Sequence, residues 1–170
     1  MAAGIRIQIV EYDPLWPQLF EHESSRIRGA LGARVLLLEH TGSTSVPGLA
    51  AKPTIDITLG VADSAIEADY LPDLERAGYR LRVREPEWHE HRMLKGPGTD
   101  INLHVFSAGC AEIGRILRFR NWLRSHPADR DLYARTKLAL ARREWRCVDE
   151  YAGAKGEVIA EILGRALDPL

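Results

Sequence analysis

Apolar and polar residues alternate from Ile5 to Val10, the period of a short half-buried strand. Asp13-Pro14 then reads as a helix start, a capping acid followed by a proline suited to the first turn. Leu15, Leu19, Ile27 and Leu31 give that helix an apolar side, and Gly32 ends it. The short apolar run Val35–Glu39 predicts a buried strand. In Thr54–Val61 the alternation sets Ile55, Ile57 and Leu59 on one face, Asp56 and Thr58 on the other. Ser64 is placed to cap a helix reaching Ala77, closed by Gly78. Three strands follow at Tyr79–Arg84, His89–Lys95 and Ile101–Phe106, and Gly96-Pro97-Gly98 joins the last two as a hairpin. Beyond Gly109 the period turns helical. One helix covers Cys110–Ser125, Pro127 opens a second, and the pattern runs to about Ala166, broken near Gly153 or Gly156.

This order predicts an α+β fold: a mixed β-sheet flanked by helices, with a helical C-terminal half. At 170 residues one domain is expected over 1–170. Residues 1–109 would form the sheet with its helices, and 110–170 a helical extension packed on it, since each part alone has little core. Apolar residues make up 45% and charged residues 28%, which suits a soluble globule. A net charge of −1 makes a nucleic-acid partner or a membrane surface unexpected. Cys110 and Cys147 are too far apart for a metal cluster or a disulfide framework, so they read as reduced thiols of a cytoplasmic protein. The opening residues lack a secretory pattern, and no apolar run is long enough for a membrane helix.

The stretch His40–Ile57, HTGSTSVPGLAAKPTIDI, holds the first candidate chemistry. Gly42 permits close backbone approach, and the Ser43 hydroxyl with nearby amides can hold phosphate oxygens, with Thr44 beside them. Lys52 can meet phosphate as a point charge. Asp56 lies inside a strand, where a carboxylate needs a cation or hydrogen bonds to offset burial. A divalent ion would suit it, as would backbone donors in an ordinary loop-and-strand unit. The glycines do not follow the order of a P-loop.

Strand, Gly-Ser, about a dozen residues and a strand acid together resemble the nucleotidyltransferase fold of the polymerase-beta-like superfamily. In that fold Gly-Ser contacts nucleotide phosphates, and strand carboxylates hold two metals. More narrowly, the chain is similar to the GrpB family. The similarity rests on Tyr12-Asp13-Pro14 with Trp16, the stretch above, His91-Arg92, Leu103-His104-Val105-Phe106, the run RFRNWLRSHPADRDLYARTKLALA, and Tyr151 with Gly153 and Lys155. A GrpB-type domain also occurs fused to dephospho-CoA kinase. The resemblance therefore implies a nucleotide or other phosphorylated small molecule as ligand. Mg²⁺ or Mn²⁺ would serve as cofactor if a nucleotidyl group is transferred. A non-catalytic module binding a nucleotide or CoA-related metabolite is the alternative.

One departure favours that alternative. The residue two past Asp56, where a second carboxylate would stand, is Thr58. The neighbouring strand offers Asn102 and His104 on one face, so Asp56, Asn102 and His104 form the candidate metal set. His104 is also a candidate general acid or base beside Asp56. Arg92 is placed to neutralise phosphate if its hairpin borders the pocket. His89 and His91 share a strand face but make no complete metal site. Between Cys110 and Arg146 ten basic residues face four acids, which reads as a solvated helix face or as phosphate contacts over a cleft. Tyr133 and Lys137, four apart, would border that cleft. Trp122, Leu123, Leu138 and Trp145 read as core.

Overall fold

The computed structural model of the protein describes residues 4–167. Helix α1 (Trp16–Leu31) precedes β1 (Leu37–Thr41) and β2 (Ile55–Val61). After α2 (Leu71–Arg76) come β3 (Arg80–Glu85), β4 (His91–Lys95) and β5 (Ile101–Ser107). The tail is α3 (Ala111–Ser125), α4 (Pro127–Ala141), α5 (Val148–Ala154) and α6 (Gly156–Leu167). The strands form one mixed sheet in the order β1-β2-β5-β4-β3, parallel only at β2–β5.

Strand alternation decides what each face does. Ile55, Ile57 and Leu59 align with Ile101, Leu103 and Val105, and all are buried against Trp16, Ile27, Leu31 and Leu74. Each such side chain removed from water contributes about 1.5–3 kcal/mol. The opposite face presents Asp56 and Thr58 beside Asn102 and His104. The tail roofs this polar face. Its apolar residues Leu123, Tyr133, Val158 and Ile162 bury Val46 and Leu49 of the β1–β2 loop. Basic side chains of the tail bond to the end of β1 and to the same loop. Arg120 Nη1 donates to the His40 carbonyl at 2.9 Å, Arg124 Nη2 to Ser45 at 2.8 Å and Lys137 Nζ to Ala50 at 2.6 Å.

Several elements depart from the sequence expectation for local reasons. Ile5–Val10 forms no strand; it makes single bridges from Ile5 to Trp145 and Val10 to Ala51. Helix α1 starts at Trp16 because Asp13 closes a turn ahead of it, accepting from Leu15 N–H at its side chain and from Trp16 N–H at its carbonyl. Ser64 caps no helix, because its hydroxyl donates to the Glu90 carbonyl. A 3₁₀ turn at Glu67–Asp69 precedes the short α2 instead. Strand β4 begins at His91, since His89 and Glu90 turn with φ of 56° and 49°. His89 therefore shares no strand face with His91. A bulge between Leu81 and Val83 shifts the β3–β4 register. The helical tail breaks between Ala154 and Gly156, as expected, and once more after Ala141, where Trp145 pairs with Ile5. Leu138 is 42% exposed and not core, whereas Leu123 and Trp145 are buried.

His40 sits under the loop, its ring stacked 5.1 Å from Phe20. Thr44 Oγ1 donates to the Thr54 carbonyl, so His40 Nε2–H donates to Thr44 at 3.0 Å. Burial, followed by the charges of Arg124 and Arg120, holds the His40 pKa down at about 4 against the opposing pull of Asp56. The unfolded chain takes up this proton near pH 6.5, so the stability present above that pH is lost as pH falls towards 4. His40→Gln should flatten the stability curve across that window. Denaturant titrations at pH 7 and pH 4.5 check this; an unchanged slope would refute the assignment.

Candidate functional site

The β1–β2 loop crosses directly over Asp56. Gly42 turns with φ of 68°, and a Cβ built there would lie 2.9 Å from the Asp56 Cβ. Only glycine allows both the turn and the approach. Ser43 then opens a 3₁₀ turn to Ser45, whose hydroxyl donates back to the Gly42 carbonyl at 2.5 Å. Ser43 faces the cleft. Thr44 turns inward onto His40 and Thr54.

Four strands contribute to one hydrogen-bonded row on the polar face. His104 Nε2 is 3.2 Å from Asp56 Oδ1 and His91 Nε2 is 3.0 Å from His104 Nδ1. His91 Nδ1 is 2.7 Å from Glu85 Oε2. Two neutral imidazoles supply one N–H each, so filling all three contacts takes one further proton within the row. Burial pushes His91 below its ordinary pKa, with its bond to Glu85 opposing and the charge of His104 adding to the fall. Trp88 and Phe106 wall His91, with centroids at 5.2 and 4.8 Å.

The space between sheet and tail has two lobes that meet at Ser43, Asp56, His91, His104 and Lys155. One, of about 410 Å³, is walled by Trp88, Phe106, Phe119 and Tyr133, with Arg115 and Arg120 at its polar edge. The other, of about 350 Å³, is lined by Lys52, Lys137 and Lys155 with Tyr151 and Asn102. Burial, and secondly the charge of Lys155, hold Lys137 down at about 7. Burial also lowers Lys155, with Asp56 opposing and Lys52 adding.

Among the expected site residues, Gly42, Ser43, Lys52, Asp56, Asn102 and His104 converge on this space, and Tyr133 and Lys137 border it as expected. Arg92 does not. It pairs with Val105 in register, faces the apolar side of the sheet and bonds to Glu67 and Glu90. Thr44 is buried beneath the loop rather than presented to a ligand. The metal set does not fit a two-ion centre. Asn102 Oδ1 accepts from Lys95 at 2.6 Å, Thr58 Oγ1 is bonded to Thr41 at 2.9 Å, and Asp56 Oδ1 is engaged by His104. The described residues contain no group of three His, Cys, Asp or Glu placed to hold one ion. Trp88, Phe119, Glu85 and the roles of Tyr151 and Lys155 were missed, because single aromatics and charges give no local signal before the tail is docked.

Comparison with known proteins places this arrangement. The GrpB protein family profile matches residues 6–165. The chain belongs to the GrpB family. The UPF0157 protein BH1888 of Halalkalibacterium halodurans is 61% identical over 94% of this chain and 82% of that protein. The crystal structure of the conserved protein GrpB from Enterococcus faecalis matches with a TM-score of 0.80 at 33% identity, covering 95% of this chain and all of that one. A dephospho-CoA kinase of Mycolicibacterium paratuberculosis is 29% identical over 95% of this chain and 46% of the kinase.

Two substitutions probe this GrpB cleft. Gly42→Ala places a methyl group against the Asp56 carboxylate at a positive φ, so a loss of about 1–3 kcal/mol is expected, read by denaturant unfolding. Lys137 is protonated more readily in the unfolded chain, so its stability contribution is complete above pH 10.5 and lost as pH falls to about 7. Lys137→Met should therefore gain stability relative to the parent as pH falls through that window, in phosphate-free buffer. A constant difference across the range would show that the amine is not suppressed.

Proposed function

We propose that the cleft binds a nucleotide or another phosphorylated small molecule. The observation that carries this reading is the pairing of an aromatic lobe with a lysine-lined lobe at one carboxylate–imidazole pair. A planar ring suits the first lobe, since stacking on an aromatic side chain contributes about 1–3 kcal/mol. Phosphate oxygens suit the second. The similarity to a dephospho-CoA kinase supports including CoA-related nucleotides among the ligands. With both His104 nitrogens engaged by Asp56 and His91, Asp56 is the member of the row that can meet a ligand hydroxyl, and His104 orients it and shares its proton.

Nucleotidyl transfer is the second reading, favoured by the contact of Gly42-Ser43 with a strand carboxylate. The donor set described above does not suit two ions, so ligand binding is expected without a divalent metal. Thermal shift and calorimetry with ATP, ADP, AMP and dephospho-CoA, in EDTA and then with Mg²⁺ or Mn²⁺, separate the readings. Binding in EDTA is expected, weakened about tenfold by Trp88→Ala through loss of stacking. Trp88 is 43% exposed, so its removal leaves the core intact. A strict metal requirement, with turnover abolished by Asp56→Asn, would move the assignment to a transferase. No binding under any condition would remove both.

A further inference from the structure

The sequence holds four lysines against nineteen arginines. Lys95 is ion-paired with Asp100. The other three, Lys52, Lys137 and Lys155, all line the second lobe. They arrive from the β1–β2 loop, α4 and the α5–α6 junction. Among the described residues, none of the three has a carboxylate within ion-pairing distance. Lys137 Nζ instead donates to the Ala50 carbonyl and lies 4.7 Å from the Tyr133 ring centre. Lys155 Nζ lies 4.8 Å from the ring centre of Tyr151.

Tyr151 adds an independent observation. Its residue is 3% exposed, and its hydroxyl is buried without a hydrogen-bond partner. An unpaired buried hydroxyl is a standing cost to the fold and calls for a partner. Tyr151 is one of the residues lining the lobe that gathers the three lysines. Burial raises its pKa to about 12, so the group stays a neutral donor.

The lobe also contains Asp56, Glu85, Asp149, His91 and His104. Asp56 and Glu85 are already bonded to the histidines, and Asp149 is exposed in the first turn of α5. Three lysines without carboxylate partners and a spare hydroxyl form a donor set in need of an acceptor with several oxygens. Phosphate chemistry supplies this better than a single carboxylate, because a lysine ammonium meets phosphate as a point charge from any direction. An arginine-rich chain that gathers three of its four lysines at this one place is consistent with that preference.

We propose that the lysine lobe is a subsite for a phosphoryl or pyrophosphoryl group, held by Lys52, Lys155 and the Tyr151 hydroxyl. This deepens the nucleotide-binding reading and rests on it for the identity of the complete ligand. Lys137 forms the floor, tied to the loop carbonyl. The subsite exists only when the tail is docked, since two of its three named donors belong to the last two helices and their junction.

The test is calorimetry with inorganic pyrophosphate, then ADP, in EDTA at low salt, on the parent chain, Tyr151→Phe and Lys155→Gln. Pyrophosphate should bind the parent at one site. Tyr151→Phe should weaken it about three- to tenfold, the loss of one hydrogen bond to a charged ligand. The free Tyr151→Phe variant should melt no lower than the parent, because it sheds an unsatisfied hydroxyl. Lys155→Gln should weaken pyrophosphate at least about tenfold. The subsite is overturned if millimolar pyrophosphate does not bind the parent, or if Tyr151→Phe melts normally and keeps full affinity. Pyrophosphate binding with these losses, but with no added affinity for ADP, would keep the subsite and remove the nucleotide. ADP binding that is indifferent to both substitutions would keep the nucleotide and remove the subsite.

Discussion

Three basic side chains of the tail reach across the molecule and bond to main-chain carbonyls at the end of β1 and in the loop that follows: Arg120 to His40, Arg124 to Ser45 and Lys137 to Ala50. That loop carries Gly42 and Ser43 over Asp56, so the site is held between the sheet below and these donors above. A charged donor on a carbonyl is stronger than a neutral pair, so the two arginines hold their acceptors firmly. The sheet places Asp56, but the tail fixes what stands opposite it. The apolar contact of Val46 and Leu49 with Leu123, Tyr133 and Ile162 works in the same direction.

The polar face carries its own hydrogen-bonded row of side chains. Each group from Asp56 to Glu85 compensates its neighbour's burial, and Thr58 is spent on Thr41. A single carboxylate at the centre suffices for this arrangement. It also explains why a chain with a Gly-Ser loop and a strand acid can dispense with a second acid two residues on. What remains free in the cleft is positive and aromatic, which suits holding a phosphorylated ligand.

The sequence made the sheet legible because alternation is a local signal. Ile55, Ile57 and Leu59 faced the core as their spacing required, and Asp56 came together with Asn102 and His104 across the parallel β2–β5 pair. The Gly-Ser loop, Tyr133 and Lys137 were also found. Arg92 was expected at the pocket on the condition that its hairpin borders it; the hairpin does so through His91, and alternation puts Arg92 on the other face. The turn at His89 and Glu90 delays the strand, and register sets Arg92 against Val105. The basic helix was legible as charge but not as purpose; Arg120 and Arg124 spend theirs on carbonyls. Tyr151 and Lys155 lie about a hundred residues from Asp56, and no local pattern reports a contact of that range.

The irregularity in β3 carries a larger consequence than its size suggests. Before it, Leu81 stands opposite Leu94; after it, Glu85 stands opposite His91. An uninterrupted ladder would set Arg84 there instead, and Glu85 would point to the apolar side. The extra residue thus exchanges the sign of the charge at the end of the histidine row, from a guanidinium that would repel a proton to a carboxylate that can receive one. One inserted position in an edge strand therefore decides whether the row of imidazoles is grounded at the protein surface or left without an outlet.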